Sequence, residues 1–483
     1  MDKFFYATVQ NGSVSTSGDR SATLGHKYDS QGIFAEWDWN GETLTARNDR
    51  YGYFPIYYGV EENKFGISSS IAKLLDLGFS SELDTDAFSV FLRLGWYLAE
   101  DTPFRSIRAV PPNATLTWGT GKPEISTPGI IIPARQTITR PEAMEVYDQL
   151  FQRSIEKSLD DSRRMALPLS GGRDSRHILF ALASAGRKPD VCLTAKHFPP
   201  RPDEDARVAA TICEAVGVEH RLLRQPVSRF NTEIKKNRLT GFTADEHSWY
   251  MTLKPYADSG EYTFYDGIAG DVLSAGHFLH DANLRLFQGH NFSGLAEGIL
   301  GPEGFIPALL RAEAHERFSR ERAKQRLIDE LVRHADAPNP VGSFYFWNRT
   351  RRSVGMSPYR ILGAETPIVM PFLNNDVFDF LSALPAEMFL NHAFHTEMIK
   401  RTYPKFAHLA FEDKSAARVN NTRHFIMFSR QLLKFALSKR KTKLLKKSFY
   451  VSRCLRGTVD PFYGSRIPEF GERSVVLLQL ERL

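Results

Sequence analysis

The chain has 483 residues, 42% of them hydrophobic and 24% charged, with a formal net charge of +6. At roughly 150 residues per domain that is material for two or three cores, which excludes wholesale disorder. No run of about 18 apolar residues is present to span a membrane, and three isolated cysteines form neither a disulfide framework nor a CxxC metal pair.

The opening MDKFFYATVQNGS has no basic flank, apolar run or small-residue cleavage site. No secretory signal is therefore expected, and a reducing cytoplasm fits the cysteine usage. The N-terminal region reads as strand-rich: GIFAEWDWNGETLTARND, FPIYYGV and KFGISSS are aromatic and β-branched runs broken by Gly, Asn and Asp. ELDTDAFSVFLRLGWYL turns helical, with Asp84 or Asp86 as its cap, and ATLTWGTGKPEIS returns to strand–turn–strand. The proline-rich stretch STPGIIIPARQTITRPEA is the best linker, giving expected units at 1–125, 126–140 and 141–483.

Beyond it, helix and strand alternate. EAMEVYDQLFQRSIEKSL and SRHILFALASAG are helical, as is EDARVAATICEAVG, while RRMALPLS, DVCLTAKHF and VEHRLLRQ are strands. That rhythm predicts an α/β domain with a parallel sheet covered on both faces, and the chain past about 280 reads as mostly helical. Between Lys414 and Val459 there are twelve Lys and Arg and no Asp or Glu. The basicity is therefore largely a C-terminal feature and says little about the rest of the chain.

The sharpest local signal is Leu169-Ser170-Gly171-Gly172-Arg173-Asp174-Ser175-Arg176, between a strand and a helix. Two glycines let backbone amides approach an anion, and the helix N-terminus adds its dipole. Ser170 and Ser175 supply hydroxyls, and Asp174 a hard oxygen for Mg²⁺. No Lys follows the glycines, so this is not the GxxxxGK[ST] loop. Arg173 and Arg176 oppose the helix dipole unless an anion is present; a phosphate or substrate clamp and a solvated surface pair are equally open readings. His177 reads as a packing or surface residue.

SGGRDS after a strand resembles the PP-loop of ATP pyrophosphatases, and the rest of the chain resembles the asparagine synthetase family. The carriers are DEDARVAATICEAVGVEHR, YDGIAGDVLSAGH, PIVMPFLNNDVFDFLSALP and FAHLAFEDKSAAR, preceded by ARNDRYGYFPIYYG, FGISSSIAKLL and TPFRSIRAVPPNATL. The resemblance implies an N-terminal-nucleophile-hydrolase-like sandwich joined to a PP-loop synthetase domain that consumes ATP with Mg²⁺. It implies nucleotide contacts at Leu169, Ser170, Gly171, Gly172, Asp174, Ser175, Thr194 and Gly267, Mg²⁺ carboxylates at Asp174 and Asp271, and catalysis by Asp271 and Lys414. Asp245, Glu246 and His247 fall where the family keeps an acidic stretch near substrate. The implied partners are a carboxylate and an amine donor.

Three departures qualify this. Asp2 stands where the family exposes its glutaminase cysteine, so no thioester and no ammonia from glutamine are expected. Ile268 stands where the family has a glutamate beside the reacting amine, and Val272 replaces a further acid, so another base is needed. A silent nucleotide-binding member and an RNA-modifying PP-loop enzyme remain as rival readings. Nucleic acid is not an expected partner, whereas the basic C-terminal segment suggests an anionic membrane surface.

Overall fold

A computed structural model describes residues 2–28, 31–160, 162–413, 418–439 and 441–483. The N-terminal domain is a pair of antiparallel sheets packed face to face. One is β2-β1-β7-β6-β8, made of β1 (Phe4–Gln10), β2 (Ser13–Gly18), β6 (Tyr57–Glu61), β7 (Lys64–Ser68) and β8 (Ile107–Ala109). The other is β10-β9-β5-β4-β3, made of β3 (Ser21–Tyr28), β4 (Gln31–Trp39), β5 (Leu44–Asn48), β9 (Thr115–Trp118) and β10 (Glu124–Ser126). Alternation decides the faces: Ile33, Ala35, Trp37 and Trp39 of β4 point inward and are buried. Between the sheets Phe65 stacks on Trp118 at 4.6 Å, and Phe5 and Trp39 close the layer. The helix Thr85–Leu94 is capped by Asp84, whose carboxylate accepts from the Asp86 and Ala87 amides, and it ends at Gly95 in the left-handed region.

An extended stretch, 127–139, leads to the helix Arg140–Ser158. The sheet of the second domain is wholly parallel, in the order β13-β12-β11-β14-β15. Its strands are β11 (Arg164–Pro168), β12 (Val191–Ala195), β13 (His220–Leu223), β14 (Tyr262–Tyr265) and β15 (Ile368–Val369). The helices Asp174–Ser184 and Glu204–Val216 connect β11 to β12 and β12 to β13 on one side, while β14 joins the opposite edge of β11. The strand order therefore reverses between β11 and β14, and the loops leaving their carboxyl ends diverge to opposite sides. A crevice at such a switch point is where open α/β sheets bind ligands. Pro168 is tolerated because it is the last residue of β11.

The domains share one core. Tyr51 lies against Phe378 at 4.8 Å and Tyr53 against Phe346 at 5.6 Å. A π-helix, Phe346–Val354, carries much of this junction. Its Asn348 accepts from the Ala99 amide at 2.8 Å, Arg351 donates to the Ala99 carbonyl at 2.7 Å, and Arg352 donates to the Asp101 carbonyl at 2.7 Å. Asp2 is tied into the same junction by Arg360 at 3.2 Å, whose Nε also holds the Leu239 carbonyl.

Candidate active site

The loop after β11 is held from three sides. The Leu169 amide donates to Leu193 O of β12, and Thr194 Oγ1 returns a bond to Leu169 O at 2.7 Å. Ser170 N donates to Ser175 Oγ at 3.0 Å, and Gly172 N to Ser170 Oγ at 3.2 Å, so the two serines brace the turn from inside. Gly171 N donates to Asp205 of the helix Glu204–Val216, whose carboxyl the His197 ring also meets. The helix that follows begins at Asp174 with no side-chain cap, which leaves its N-terminal amides to an anion.

Arg176 follows neither of its two sequence readings. It is buried, stacks on Phe411 at 3.9 Å and donates to the Leu409 and Ala410 carbonyls, tying the loop to the segment that carries Glu412 and Asp413. Burial and neighbouring Arg173 lower its pKa to about 10. Arg173 donates to Thr396 Oγ1 at 2.6 Å.

The loop after β14 lies directly on the first. A Cβ at Gly267 would sit 2.9 Å from Asp174 Cβ, and one at Gly270 would sit 2.7 Å from Asp174 Cγ and Oδ1. Only glycine allows that approach. Asp271 follows, in the first turn of the short helix Gly270–Leu273, and its Oδ1 accepts from the Val272 amide at 2.8 Å. Ala269 adopts φ +77°, a left-handed conformation that costs a β-carbon about 1–2 kcal/mol.

Asp174 and Asp271 both line two adjoining cavities. One, of ≈ 880 Å³, is walled by Leu169, Ser170, Ser175, Leu193, Thr194, Gly267, Ile268, Trp249 and Val354, with Asp266 and Asp205 as further carboxylates. The other, of ≈ 1420 Å³, is walled by Gly171, Gly172, Arg173, His277, His280, His392, Phe411, Glu412 and Asp413. The described residues expected to contact nucleotide and Mg²⁺ thus line one of the two chambers, the two glycines facing the second. Lys414 lies outside the described residues, one position past Asp413. From the acidic stretch, Asp245 pairs with Arg473 at 2.8 Å and Glu246 with Arg349 at 2.8 Å; the residue there that reaches the cavity wall is Trp249.

The fit to Mg²⁺ rests on donor chemistry. Asp174 Oδ1 is buried and accepts no well-formed hydrogen bond, although the His395 ring lies 3.3 Å from it, and a bound cation would offset the cost of that burial. Among the described residues no group of three or more His, Cys, Asp and Glu converges to hold a metal. Two carboxylates suit Mg²⁺, which takes its other oxygens from phosphates and water.

Two features escaped sequence reasoning. Behind Asp174 lies a buried histidine pair: His395 Nδ1 is 3.3 Å from Asp174 Oδ1 and 3.0 Å from Ser274 Oγ, and His395 Nε2 is 3.1 Å from His177 Nδ1. His177 stacks on Phe151 at 3.7 Å, and burial with His395 alongside drives its pKa well below the usual value. It is a packing residue, but one that supports a site carboxylate. The second is Asp266, the residue that follows β14. It is buried, and burial pushes its pKa up to about 6 against hydrogen bonds from the Tyr250 hydroxyl and the Ile268 amide. The signal was its place two residues before Ile268.

A parallel sheet with two facing glycine loops at its switch point, fused to an antiparallel sandwich, is a two-domain architecture with a crevice of the kind in which open α/β sheets bind ligands. Residues 24–127 match the glutamine amidotransferase domain family, and residues 146–354 match the asparagine synthase family. The two matches, in this order along the chain, are consistent with an asparagine synthetase-family protein, and the matched synthase domain is of the PP-loop type.

Among curated proteins it is 22% identical to the amidase chry2 of Gibberella zeae, over 60% of this chain and 44% of that protein, so it spans under half of the relative's length. Among solved structures the U34-tRNA thiolase NcsA of Methanococcus maripaludis aligns over 72% of this chain and 89% of that one. Its identity is 12% and its TM-score 0.25.

Proposed function

We propose that this protein activates a carboxylate with ATP and joins it to an amine, without hydrolysing glutamine. One observation carries the reading: Asp174, from the loop after β11, and Asp271, from the loop after β14, both line both chambers at the switch point of the sheet. The Leu193–Ala195 and Trp249 side suits a nucleoside, and the Gly171–Gly172 turn with its uncapped helix suits the phosphates.

A carboxylate oxygen attacks the α-phosphorus, the bond to the β-phosphate oxygen breaks, and pyrophosphate leaves toward the Gly171–Gly172 side. The amine nitrogen then attacks the acyl carbon, gives up a proton and expels AMP. We assign the proton to Asp266, the cavity carboxylate nearest in sequence to Ile268; an acid lifted toward neutrality is a better base at pH 7 than an ordinary carboxylate. Mg²⁺ held by Asp174 and Asp271 would screen phosphate charge. Lys414, next to Asp413 in the chain, is assigned to the developing charge on pyrophosphate.

The absence of a glutaminase step is supported by residues 1–191, which contain no cysteine, and by Asp2, whose carboxylate is engaged by Arg360. A soluble protein in the cytoplasm suits ATP-dependent chemistry; among the described residues no helix is long and apolar enough to cross a membrane.

ATP–pyrophosphate exchange across a panel of amino acids, uronic sugars and peptides tests the reading. Exchange dependent on one carboxylate class supports it. ATP binding without exchange on any of them favours the silent member that Ile268 and Val272 would suit.

A further inference from the structure

On the C-terminal helices Phe425, Phe428 and Leu432 of the helix Thr422–Ser438, and Leu445 and Phe449 beyond it, are buried in the interior, while Phe435 and Leu444 are half-buried against it. Their outward faces are different. On the helix Lys447–Val459 and the short turn Pro461–Gly464, Leu455 is 51% exposed, Val459 80% and Phe462 73%. Leu455 and Val459, four residues apart, share one face of the first helix, and Phe462 follows in the next turn, beyond the extended Asp460.

Arginines frame these residues. Arg466 lies over the Phe462 ring at 5.0 Å and Arg456 over Tyr463 at 4.3 Å. On the neighbouring helix Arg423, Arg430 and Lys434 are exposed, and Lys441 and Lys443 are exposed in the connection. Not every cation is free for this: Lys439 Nζ donates to the Glu481 carbonyl and Lys446 Nζ to the Pro307 carbonyl. No Asp or Glu occurs from Ser415 to Val459; Asp460, the next residue, pairs with Arg456 at 3.6 Å and offsets that one charge.

We infer that this face docks reversibly on an anionic lipid bilayer, with Leu455, Val459 and Phe462 entering the headgroup boundary and the surrounding Arg and Lys meeting lipid phosphates. The combination decides the partner. A nucleic-acid backbone rewards the cations but leaves exposed aliphatic side chains without a counterpart, whereas a bilayer interface takes both at once. Three large apolar side chains exposed within eight residues are themselves a mark of an interaction site. They lie outside both chambers of the active site, so the inference does not depend on the ligase reading.

Flotation of the full chain with vesicles tests it, using phosphatidylcholine alone and phosphatidylcholine mixed with phosphatidylglycerol. Expected is flotation with the mixed vesicles only, at least about tenfold weaker at half-molar salt as the screening length shrinks to a few ångström. It should also be lost in Leu455→Ser/Val459→Ser/Phe462→Ser and, separately, in Arg423→Gln/Arg430→Gln/Lys434→Gln. The two variants should keep the wild-type circular dichroism spectrum and unfolding midpoint, because the altered side chains are exposed. Equal flotation on neutral vesicles, or flotation unchanged in both variants, overturns the proposal. So does failure to float when the same protein shifts bulk RNA, or when sedimentation shows a dimer that the serine variant abolishes.

Discussion

At the scale of single residues, Asp174 and Asp271 sit on opposing loops with glycine and cavity between them. Asp174→Asn and Asp271→Asn should each reduce pyrophosphate exchange by at least about a hundredfold, since a neutral amide cannot replace a carboxylate toward Mg²⁺. The unfolding midpoint should stay near wild type. Exchange within threefold of wild type in either variant would remove that residue from the metal site.

Asp266 makes a prediction of a different kind. Its pKa rises from 3.8 to about 6 on folding, with burial as the leading cause. A carboxyl so raised holds its proton more tightly in the native state. Its stabilising contribution is complete below about pH 3.8 and is lost as pH rises through 6. Two units correspond to about 3 kcal/mol at most. Asp266→Asn keeps an oxygen for Tyr250 and removes the charge, so at pH 7 in metal-free buffer it should stabilise the fold by ~1–3 kcal/mol. The gain should vanish near pH 4. The same variant should retain pyrophosphate exchange and lose amide formation; unchanged amide formation would assign the proton elsewhere.

At the scale of elements, the alternation of helix and strand after residue 140 was legible because each period is a local property of the chain. Gly186 and Gly217 follow their helices in the left-handed conformation, as their positions suggested. The PP-loop was legible for the same reason: Ser170 to Ser175 builds its own turn. What surrounds it was not. His395 reaches Asp174 across 221 positions and Arg176 reaches Leu409 across 233; no local pattern marks either. Asp266 was hidden by its setting, a polar residue following an apolar strand, which reads as an ordinary loop start.

The contact between the two glycine loops yields the element-scale test. Gly270 opens a short helix, where alanine would ordinarily be favoured. Here its Cβ would fall on Asp174 Oδ1 and on Phe372 Cζ at 2.8 Å. Gly270→Ala should therefore displace Asp174 and raise the Mg²⁺ concentration needed for half-maximal exchange by about tenfold or more, a loss of ~1.4 kcal/mol. A variant with an unchanged Mg²⁺ requirement would show that the two loops do not need their close approach.

At the scale of the whole molecule, the amidotransferase-like domain is built into the synthetase domain rather than appended to it. Arg351 shows how. Its side chain is 3% exposed, and it donates Nε to Trp347 O at 3.0 Å and Nη2 to both Ala99 O and Glu100 Oε1, at 2.7 and 3.1 Å. Burial lowers its pKa, with Glu100 opposing. The π-helix that carries it ends at Val354, which lines the nucleotide-side cavity. Irregular helical turns of this type recur at functional sites, and this one joins the sandwich to that cavity wall.

Removing the guanidinium leaves two buried carbonyls and a carboxylate short of a partner, a change that typically costs about 3–5 kcal/mol for a buried pair. Arg351→Ala should accordingly lower the unfolding midpoint of the full chain and weaken ATP binding, although the residue lines neither chamber. Arg351→Lys should restore some of the stability, because an ammonium still reaches one oxygen but not two. Fluorescence-monitored unfolding with and without ATP measures both effects. If Arg351→Ala loosened the sandwich while ATP bound with wild-type affinity, the domains would be packed together without being coupled. The sandwich would then be ballast; if binding falls with stability, it is the brace of the nucleotide site.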